Sequence, residues 1–539
     1  MTLLRLAFRA QRTGFIATML IGGLAGLLNS VAYVQVAGAT PAERAVFAHQ
    51  MEILGQQLVY LLPRPVQLDT MGGYLTWRDL STVATIFAVW AVLAATGAGR
   101  GDEERGLTET WLASGVSRAR WLGTRCLAFL GVAAASVAIS LGVTAAGAAI
   151  SGDALPFGSV VAQCLPVLAI TLWGFGLGLV IAQLVGTRRA ASVAGGIVIV
   201  ALFTLNSTVR AGADPAALKW LSPFYLFDRS TPLLAGGTLD GAATAAMVAE
   251  ALVLAGFAIY AFGRRDLGGT LIRGRTSTAP ATHRPSGDPL LRLPVLAAID
   301  QQRGWIVGWT VAMTALGYFL TSLARTLLDS FRDIPSLQVY LSAMGIGSVV
   351  DVVGVIWFST ALLIICIFGV AQVNGWAADD AEGRLEMILA AGVSRTRVVL
   401  ERITALLVAA GIVTIVSTAG VWVAAGSLGI AVPADRMLLA ALLMLPVVFA
   451  LGAVGHALAG WRPRVAVVLI AAIAVISYFM QEFGPVFAWP EWVQRTSLFV
   501  LYGEPVTKVD WAGTVTLLGI GVAGTAFALA AMRRRDVGR

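Results

Sequence analysis

Asp102-Glu-Glu-Arg-Gly-Leu-Thr-Glu-Thr-Trp-Leu-Ala-Ser-Gly-Val-Ser-Arg118 and Asp379-Asp-Ala-Glu-Gly-Arg-Leu-Glu-Met-Ile-Leu-Ala-Ala-Gly-Val-Ser-Arg395 are two versions of one segment. At a fixed offset Gly106 matches Gly383, Glu109 matches Glu386 and Leu112 matches Leu389. The register then holds through Gly115/Gly392, Ser117/Ser394, Arg118/Arg395, Arg120/Arg397 and Arg125/Arg402. Apolar bias alone does not produce so many polar and glycine identities, so the chain carries an internal duplication. A second echo closes each copy: Phe262-Gly-Arg-Arg-Asp-Leu-Gly268 corresponds to Met532-Arg-Arg-Arg-Asp-Val-Gly538.

Outward from these segments the sequence is almost entirely apolar. Hydrophobic residues make up 58% of the chain and charged residues 13%, with a mean hydropathy of +0.81, too apolar for a soluble domain of this length. A spanning helix needs about 20 apolar residues to cross a hydrocarbon core about 30 Å thick. Bounded by charge, Pro or Gly, such runs fall near 14–37, 80–99, 126–150, 157–185, 191–210 and 242–262, then near 304–327, 354–376, 403–428, 436–460, 465–487 and 511–532. The expected fold class is therefore all-α and polytopic, with about 12 transmembrane helices in two repeated six-helix halves. Residues 1–268 and 294–539 form the halves. Between them, 269–293 reads as a linker, because Pro280, Pro285 and Pro289 stand there among Ser, Thr, Gly and Arg with too little apolar surface to fold.

Both copies of the duplicated segment follow the second span of their half. Each reads as a short amphipathic helix on the membrane surface, with Thr108, Trp111 and Leu112, or Leu385, Ile388 and Leu389, on its apolar face. Acidic residues crowd its start, where the helix dipole favours them. Gly115 and Gly392 suit a C-terminal cap, and Ser117 and Ser394 suit the N-cap of the next helix. Outside the membrane, 41–63 and part of 335–348 show near-helical apolar spacing and read as helices covering the outer face.

Charge sets the orientation. Arg5, Arg9 and Arg12, the arginines from Arg100 to Arg125, Arg188/Arg189, Arg264/Arg265, Arg462/Arg464 and Arg533 to Arg535 fall on one side if spans alternate, which makes that side cytoplasmic and puts both termini there. The net charge of +8 thus reads as topology and not as a nucleic-acid surface, which would need a basic stripe on a soluble fold. A cleaved signal peptide is not expected, because the apolar run from Gly14 to Ala37 exceeds the about 7–15 residues of a signal's apolar core. Cys126, Cys164 and Cys366 have no ligand spacing and read as packing residues. No metal site is expected.

At these residues the chain resembles the ABC-2 type permeases, whose loop after the second span reads Glu, Gly, Glu, Leu-Leu, a small residue or Pro, then Val-Ser-Arg. The matching residues are Glu104, Gly106, Glu109, Leu112, Val116, Ser117 and Arg118, then Glu382, Gly383, Glu386, Leu389, Val393, Ser394 and Arg395. Gly115 and Gly392 stand where many relatives carry Pro. With two fused halves the chain looks most like actinobacterial multidrug and tetronasin-type exporter permeases. The resemblance covers most of the chain in architecture and two short windows in motif. It implies that the duplicated helices are coupling helices that dock two copies of a cytoplasmic ATPase, with Glu104, Gly106, Glu109, Trp111, Leu112 and Arg118, and Glu382, Gly383, Glu386, Ile388, Leu389 and Arg395, as docking residues. It implies export of hydrophobic or amphipathic small molecules, including drugs and antibiotics, across the inner membrane. By the family's usual arrangement the cargo cavity is sought at Asn29, Phe87, Trp90, Phe203 and Asn206, and at Trp309, Trp357, Phe358, Tyr478 and Phe479.

The chain has no G-x-x-x-x-G-K-[ST] loop to cradle a phosphate, so ATP and magnesium are expected on the partner ATPase and no cofactor on this chain. A proton-coupled secondary drug transporter is the rival reading and requires ionisable groups inside the membrane. Only Glu250 falls well inside an expected span; it is read as paired with a basic residue such as Arg210 or reaching the interface. An embedded enzyme would need a carboxylate pair or a His cluster on an aqueous loop. Asp379-Asp380 is the one such pair, and it belongs to the duplicated segment, where dipole stabilisation accounts for it. Gly22-x-x-x-Gly26 and Gly174-x-Gly-x-Gly178 are expected to let helix backbones approach closely.

Overall fold

A computed structural model describes residues 2–60, 62–271, 293–331, 349–381, 383–461, 463–506 and 508–534. Apart from its two ends, the segment expected to be a linker lies outside these residues, as does the outer helix expected within 335–348. The chain divides into two compact units, Met1–Ala281 and Thr282–Arg539.

The first unit runs α1 (Thr2–Ala37), α2 (Pro41–Gln57), α3 (Met71–Glu104), α4 (Leu107–Ala113), α5 (Arg118–Ile150), α6 (Phe157–Leu184), α7 (Arg188–Arg210), α8 (Pro223–Asp228) and α9 (Gly241–Arg264). The second runs α10 (Pro294–Phe331), α11 (Val349–Ala381), α12 (Arg384–Ala390), α13 (Arg395–Ser427), α14 (Ala434–Trp461), α15 (Pro463–Phe483), α16 (Glu491–Gln494), α17 (Leu498–Tyr502) and α18 (Trp511–Arg534). Among the described residues the only strands are β1 (Gly503–Glu504) and β2 (Lys508–Val509), a two-residue ladder. Among the described residues twelve helices are long and apolar enough to cross a membrane, and the fold is all-α and polytopic. Helices satisfy their own backbone groups, the condition for standing in lipid.

Local chemistry sets the helix ends. Thr40 and Glu43 form a reciprocal capping box at the start of α2. The bond from the Thr40 backbone N–H, followed by its hydroxyl, holds the Glu43 carboxyl below the usual carboxylate range. The hydroxyls of Thr187 and the carboxylate of Asp240 cap α7 and α9 by accepting from Ala190 N and Ala243 N. Several helices outrun the expected spans. α1 begins at residue 2, so Arg5, Arg9 and Arg12 lie within it and not ahead of it; α3 begins at residue 71, not 80; and α10 and α11 extend to 331 and from 349. Hydropathy marks only the lipid-buried core, whereas a helix continues through the interface while its long side chains reach water.

Both glycine patterns serve close packing. In α1, a Cβ on Gly26 would stand 1.8 Å from Thr144 Oγ1, and one on Gly22 would stand 3.0 Å from Ser140 Oγ, so α1 lies directly on α5. Ser30 donates to the Thr144 carbonyl at 3.1 Å across the same contact. In α6, Gly174 and Gly178 face the Ala88 and Val92 carbonyls of α3, while Gly176 faces the Ala251 carbonyl of α9. Small residues admit this approach where lipid supplies no hydrophobic drive. In the second unit α10 lies on α13 through Gly317 and Gly420, and α14 on α18 through Gly521 and Gly524.

Candidate functional site

The duplicated segments fold alike. α3 and α11 each lead into a glycine in the left-handed region, Gly106 at φ +69 and Gly383 at φ +72. A Cβ there would touch nothing within 4 Å, so the need for glycine is one of backbone conformation and not of space. The two-turn helices α4 and α12 follow, and each ends at a second left-handed glycine, Gly115 at φ +88 and Gly392 at φ +84. Ser117 and Ser394 then cap the next long helix by accepting from Arg120 N and Arg397 N, both at 3.2 Å. The expected caps are all present. Glu382 lies outside the described residues.

Each connector helix lies against its own unit. Thr108 and Leu385 are buried at equivalent positions, Leu112/Leu389 and Val116/Val393 are half-buried on the same core side, and Trp111 stacks on Trp121 at 6.3 Å. Ile388 departs from the expected apolar face: it is exposed, beside Met387, which is 65% exposed. Only one turn of so short a helix reaches the core, and Leu385 and Leu389 fill it. Glu109 and Glu386 point to solvent in both copies. The equivalent acidic pair is what the two connectors present in common.

Three residues expected to dock a partner also make bonds within their own unit. Glu104 accepts from the backbone N of Arg188 at 2.7 Å and so caps α7. Arg118 Nη1 donates to the Phe262 carbonyl at 3.2 Å and to the Arg265 carbonyl. Arg395 Nη1 donates to the Met532 carbonyl at 3.0 Å and the Arg533 carbonyl at 3.2 Å. Phe262 and Met532 occupy corresponding places in the second sequence echo, so in each copy the arginine that opens the long helix after the connector ties that helix to the C-terminal end of the last long helix of its unit. A cation at those carbonyls also meets the negative end of the helix dipole.

Behind the first connector, arginines that read in sequence as topology-setting charge form a buried network. Glu103 accepts from Arg100 Nη1 at 2.9 Å and from Arg265 through both oxygens. Arg100 also donates to the carbonyls of Val185 and Gly269, at 3.0 and 2.8 Å, and Arg265 Nε donates to Gln183 Oε1 at 2.7 Å. The ends of α3, α6 and α9 are thereby joined at one acid. Alongside, Asp102 pairs with Arg125 at 2.6 Å, both side chains 4% exposed. The corresponding pair in the second unit, Asp379 with Arg402, is longer at 3.4 Å, with side chains 31% and 13% exposed. Asp379 and Asp380 therefore belong to the end of α11 and not to the first turn of the connector, and Asp379 also accepts from Arg384 Nε at 2.8 Å.

The residues nominated for a cargo cavity are engaged in packing and local bonds within their own units. Phe87 and Trp90 meet edge to face at 5.9 Å in the first core, with the Trp90 indole against Gly14. Asn29 donates to Asp79 Oδ1 at 3.1 Å, Asn206 to Asp228 Oδ2 at 2.8 Å, and Phe203 meets Phe224 at 5.5 Å. In the second unit Trp357 and Phe358 are buried, with Trp357 Nε1 donating to Thr418 Oγ1 at 3.3 Å. Trp309 meets Phe368 at 5.9 Å, and Tyr478 meets Phe479 at 5.8 Å and Phe499 at 6.1 Å. Glu250 accepts from Trp173 Nε1 at 2.9 Å, whereas Arg210, its expected partner, is held by both oxygens of Asp228. Asp79 is a further acid within a long helix, missed because the expected span began one residue later.

Two comparisons with known proteins bear on this geometry. A family profile described as the C-terminal domain of the multidrug efflux system permease Rv1217c matches residues 2–263 and 291–533. The chain is 26% identical, over 99% of its length and 94% of the relative's, to the multidrug efflux system permease protein Rv1217c of Mycobacterium tuberculosis. With both units covered and the helical, membrane-spanning architecture in place, the chain belongs to the family of the multidrug efflux system permease Rv1217c.

Proposed function

We propose that this chain is the membrane-spanning permease of an ATP-driven exporter that moves hydrophobic or amphipathic compounds out of the cell. The observation that carries this reading is the pair of connectors: two short helices of one geometry, each bounded by left-handed glycines, each followed by an arginine that ties the next long helix to the last helix of its unit, and each presenting one equivalent glutamate. A two-fold motor grips such a pair. Two copies of a soluble ATPase would dock there, binding ATP and magnesium themselves, and their closure on nucleotide would move the helix bundles through the connectors. The arginine distribution supports an orientation with the connectors and both termini on the cytoplasmic side of the inner membrane. The two duplicated halves then act as pseudo-equivalent bundles.

The proton-coupled alternative draws on Asp79 and Glu250, but each of these acids has a neutral hydrogen-bond donor within its own unit. In inside-out vesicles that also contain the ATPase, uptake of a hydrophobic dye is expected to require ATP and to persist when a protonophore collapses the pH gradient. Glu109→Lys with Glu386→Lys is expected to lower that uptake at least tenfold with unchanged amounts of chain in the membrane. Uptake that follows the pH gradient without ATP, or is untouched by the paired charge reversal, contradicts the proposal.

A further inference from the structure

The first turns of α1 sort their side chains onto two opposite faces. Ala7, Gln11, Gly14 and Thr18 recur at intervals of three and four residues; Ala7, Gln11 and Thr18 are buried, and a Cβ on Gly14 would stand 2.4 Å from Trp90 Nε1. That face packs into the first unit. Arg5, Arg9 and Arg12 recur at the same intervals on the opposite face, and all three are exposed. The same steps continue the stripe to Ile16, half-buried, and Leu20, 56% exposed. One outward line thus passes from three cations onto apolar side chains inside the apolar run that begins at Gly14.

No acid of this chain balances the three charges. The first Asp or Glu in the sequence is Glu43, beyond the far end of α1, and among the described residues none of the three guanidinium groups is paired with a carboxylate. The opening of α10 in the second unit is built otherwise: residues 294–305 hold a single arginine, Arg303, which pairs with Asp300 at 3.4 Å. Positive charge beside a span sets its orientation from any face of the helix, so the shared face of Arg5, Arg9 and Arg12 has another cause. Apolar side chains accompany them. Leu4 and Phe8 are each 40% exposed. The Phe8 ring rests on Gly131 of α5, where a Cβ would stand 3.4 Å from it, and Leu127 and Leu130 just before that glycine are 64% and 42% exposed.

We propose that the arginine stripe of α1 binds the head group of an anionic phospholipid of the adjoining leaflet, with the acyl chains lying along Ile16, Leu20 and the exposed leucines of α5. Arg5 and Arg12 are about 10 Å apart along the helix, and long arginine side chains close that distance while their stems cover apolar surface. Guanidinium groups match phosphate oxygens bidentately. Each basic residue at a membrane surface favours an anionic lipid about fivefold, so three on one face give a preference that a zwitterionic lipid does not share. An acidic soluble protein meets the charges but cannot follow the stripe down onto Ile16 and Leu20. Lipid binding at this stripe is independent of how transport is driven.

Native mass spectrometry of the full chain in micelles, titrated with equimolar phosphatidylglycerol and phosphatidylcholine, tests the site. The first phosphatidylglycerol is expected to bind at least tenfold more tightly than phosphatidylcholine. Arg5→Gln with Arg9→Gln and Arg12→Gln is expected to lower its affinity roughly a hundredfold, about fivefold per charge, and to leave phosphatidylcholine binding unchanged. Arg5→Lys with Arg9→Lys and Arg12→Lys keeps the charge and should keep most of the preference, and Arg303→Gln in the second unit should alter nothing. Amide exchange along α1 checks that the triple Gln variant retains its fold. Should that variant fail to insert, Arg12→Gln alone reports the site through a loss of about fivefold. Equal affinities for the two lipids in the unsubstituted chain, or an unchanged phosphatidylglycerol affinity in the Gln variants, overturns the proposal. Loss of a co-purifying soluble protein from the triple Gln variant with lipid binding unchanged also overturns it, since the stripe would then serve a protein partner.

Discussion

Asp102→Ala is expected to destabilise the first unit by about 3–5 kcal/mol, because it strands Arg125 in a buried position. In the structure Arg125 Nη2 reaches Asp102 at 2.6 Å while Nε and Nη1 are buried without hydrogen-bond partners, so little else holds the charge. The Trp121 ring, 4.4 Å from the guanidinium carbon, offers only a partial substitute. The duplication supplies a control inside the same molecule. Asp379→Ala removes the equivalent acid from a longer, partly solvated pair and is expected to cost about 0–1 kcal/mol. Replacing both members of the first pair, Asp102→Leu with Arg125→Leu, should recover much of the loss, since no buried charge is left uncompensated: Arg105, which also bonds Asp102 at 2.6 Å, is 54% exposed. Denaturation of the purified full chain in mixed micelles reads all three. Equal losses at Asp102 and Asp379 would show that burial of the first pair is not what gives it weight.

The second large effect is expected at the arginine ties. Arg118→Met and Arg395→Met remove charge-assisted bonds to carbonyls at the ends of α9 and α18, each worth about 1.5–3 kcal/mol. Amide exchange around 262–266 and 530–534 should accelerate roughly ten- to hundredfold, one decade for each 1.4 kcal/mol, while exchange in the centres of the long helices stays as it was. ATP-driven efflux is expected to fall with it, because in the proposed coupling the helix after each connector passes its movement to the last helix of the unit through this tie. Unchanged exchange at both helix ends would mean that the ties are incidental. Loss of transport with exchange unchanged would locate the arginines' role elsewhere.

Much of the fold was legible because the signals that specify it are local. Apolar runs longer than a bilayer is thick declare spanning helices, and the duplicated Gly, Ser and Glu of the connectors encode caps and left-handed turns that require no knowledge of distant residues. What escaped reading depends on partners far apart in the chain. Glu103 meets Arg265 only when α3 and α9 are packed, so arginines that look like loop charges in sequence are buried links in the folded unit. Arg118 reads as part of a docking motif, yet its guanidinium is occupied by the end of α9. Ile388 looks like one of a set of three apolar anchors, but a two-turn helix touches its core with only Leu385 and Leu389. Asp79 was hidden for another reason: Gly72 and Gly73 let α3 begin against the Leu233 and Gln67 carbonyls, ahead of the apolar run that marks the span.

The central claim is that two equivalent connectors join this permease to a pair of ATP-hydrolysing subunits. Native mass spectrometry of the tagged chain, released gently from the membranes of its own cells, measures this directly. The account predicts an assembly of one permease with two copies of a soluble ATP-binding chain, reduced to the bare permease by Glu109→Lys together with Glu386→Lys. A permease that leaves the membrane alone and transports dye in liposomes without nucleotide would contradict it.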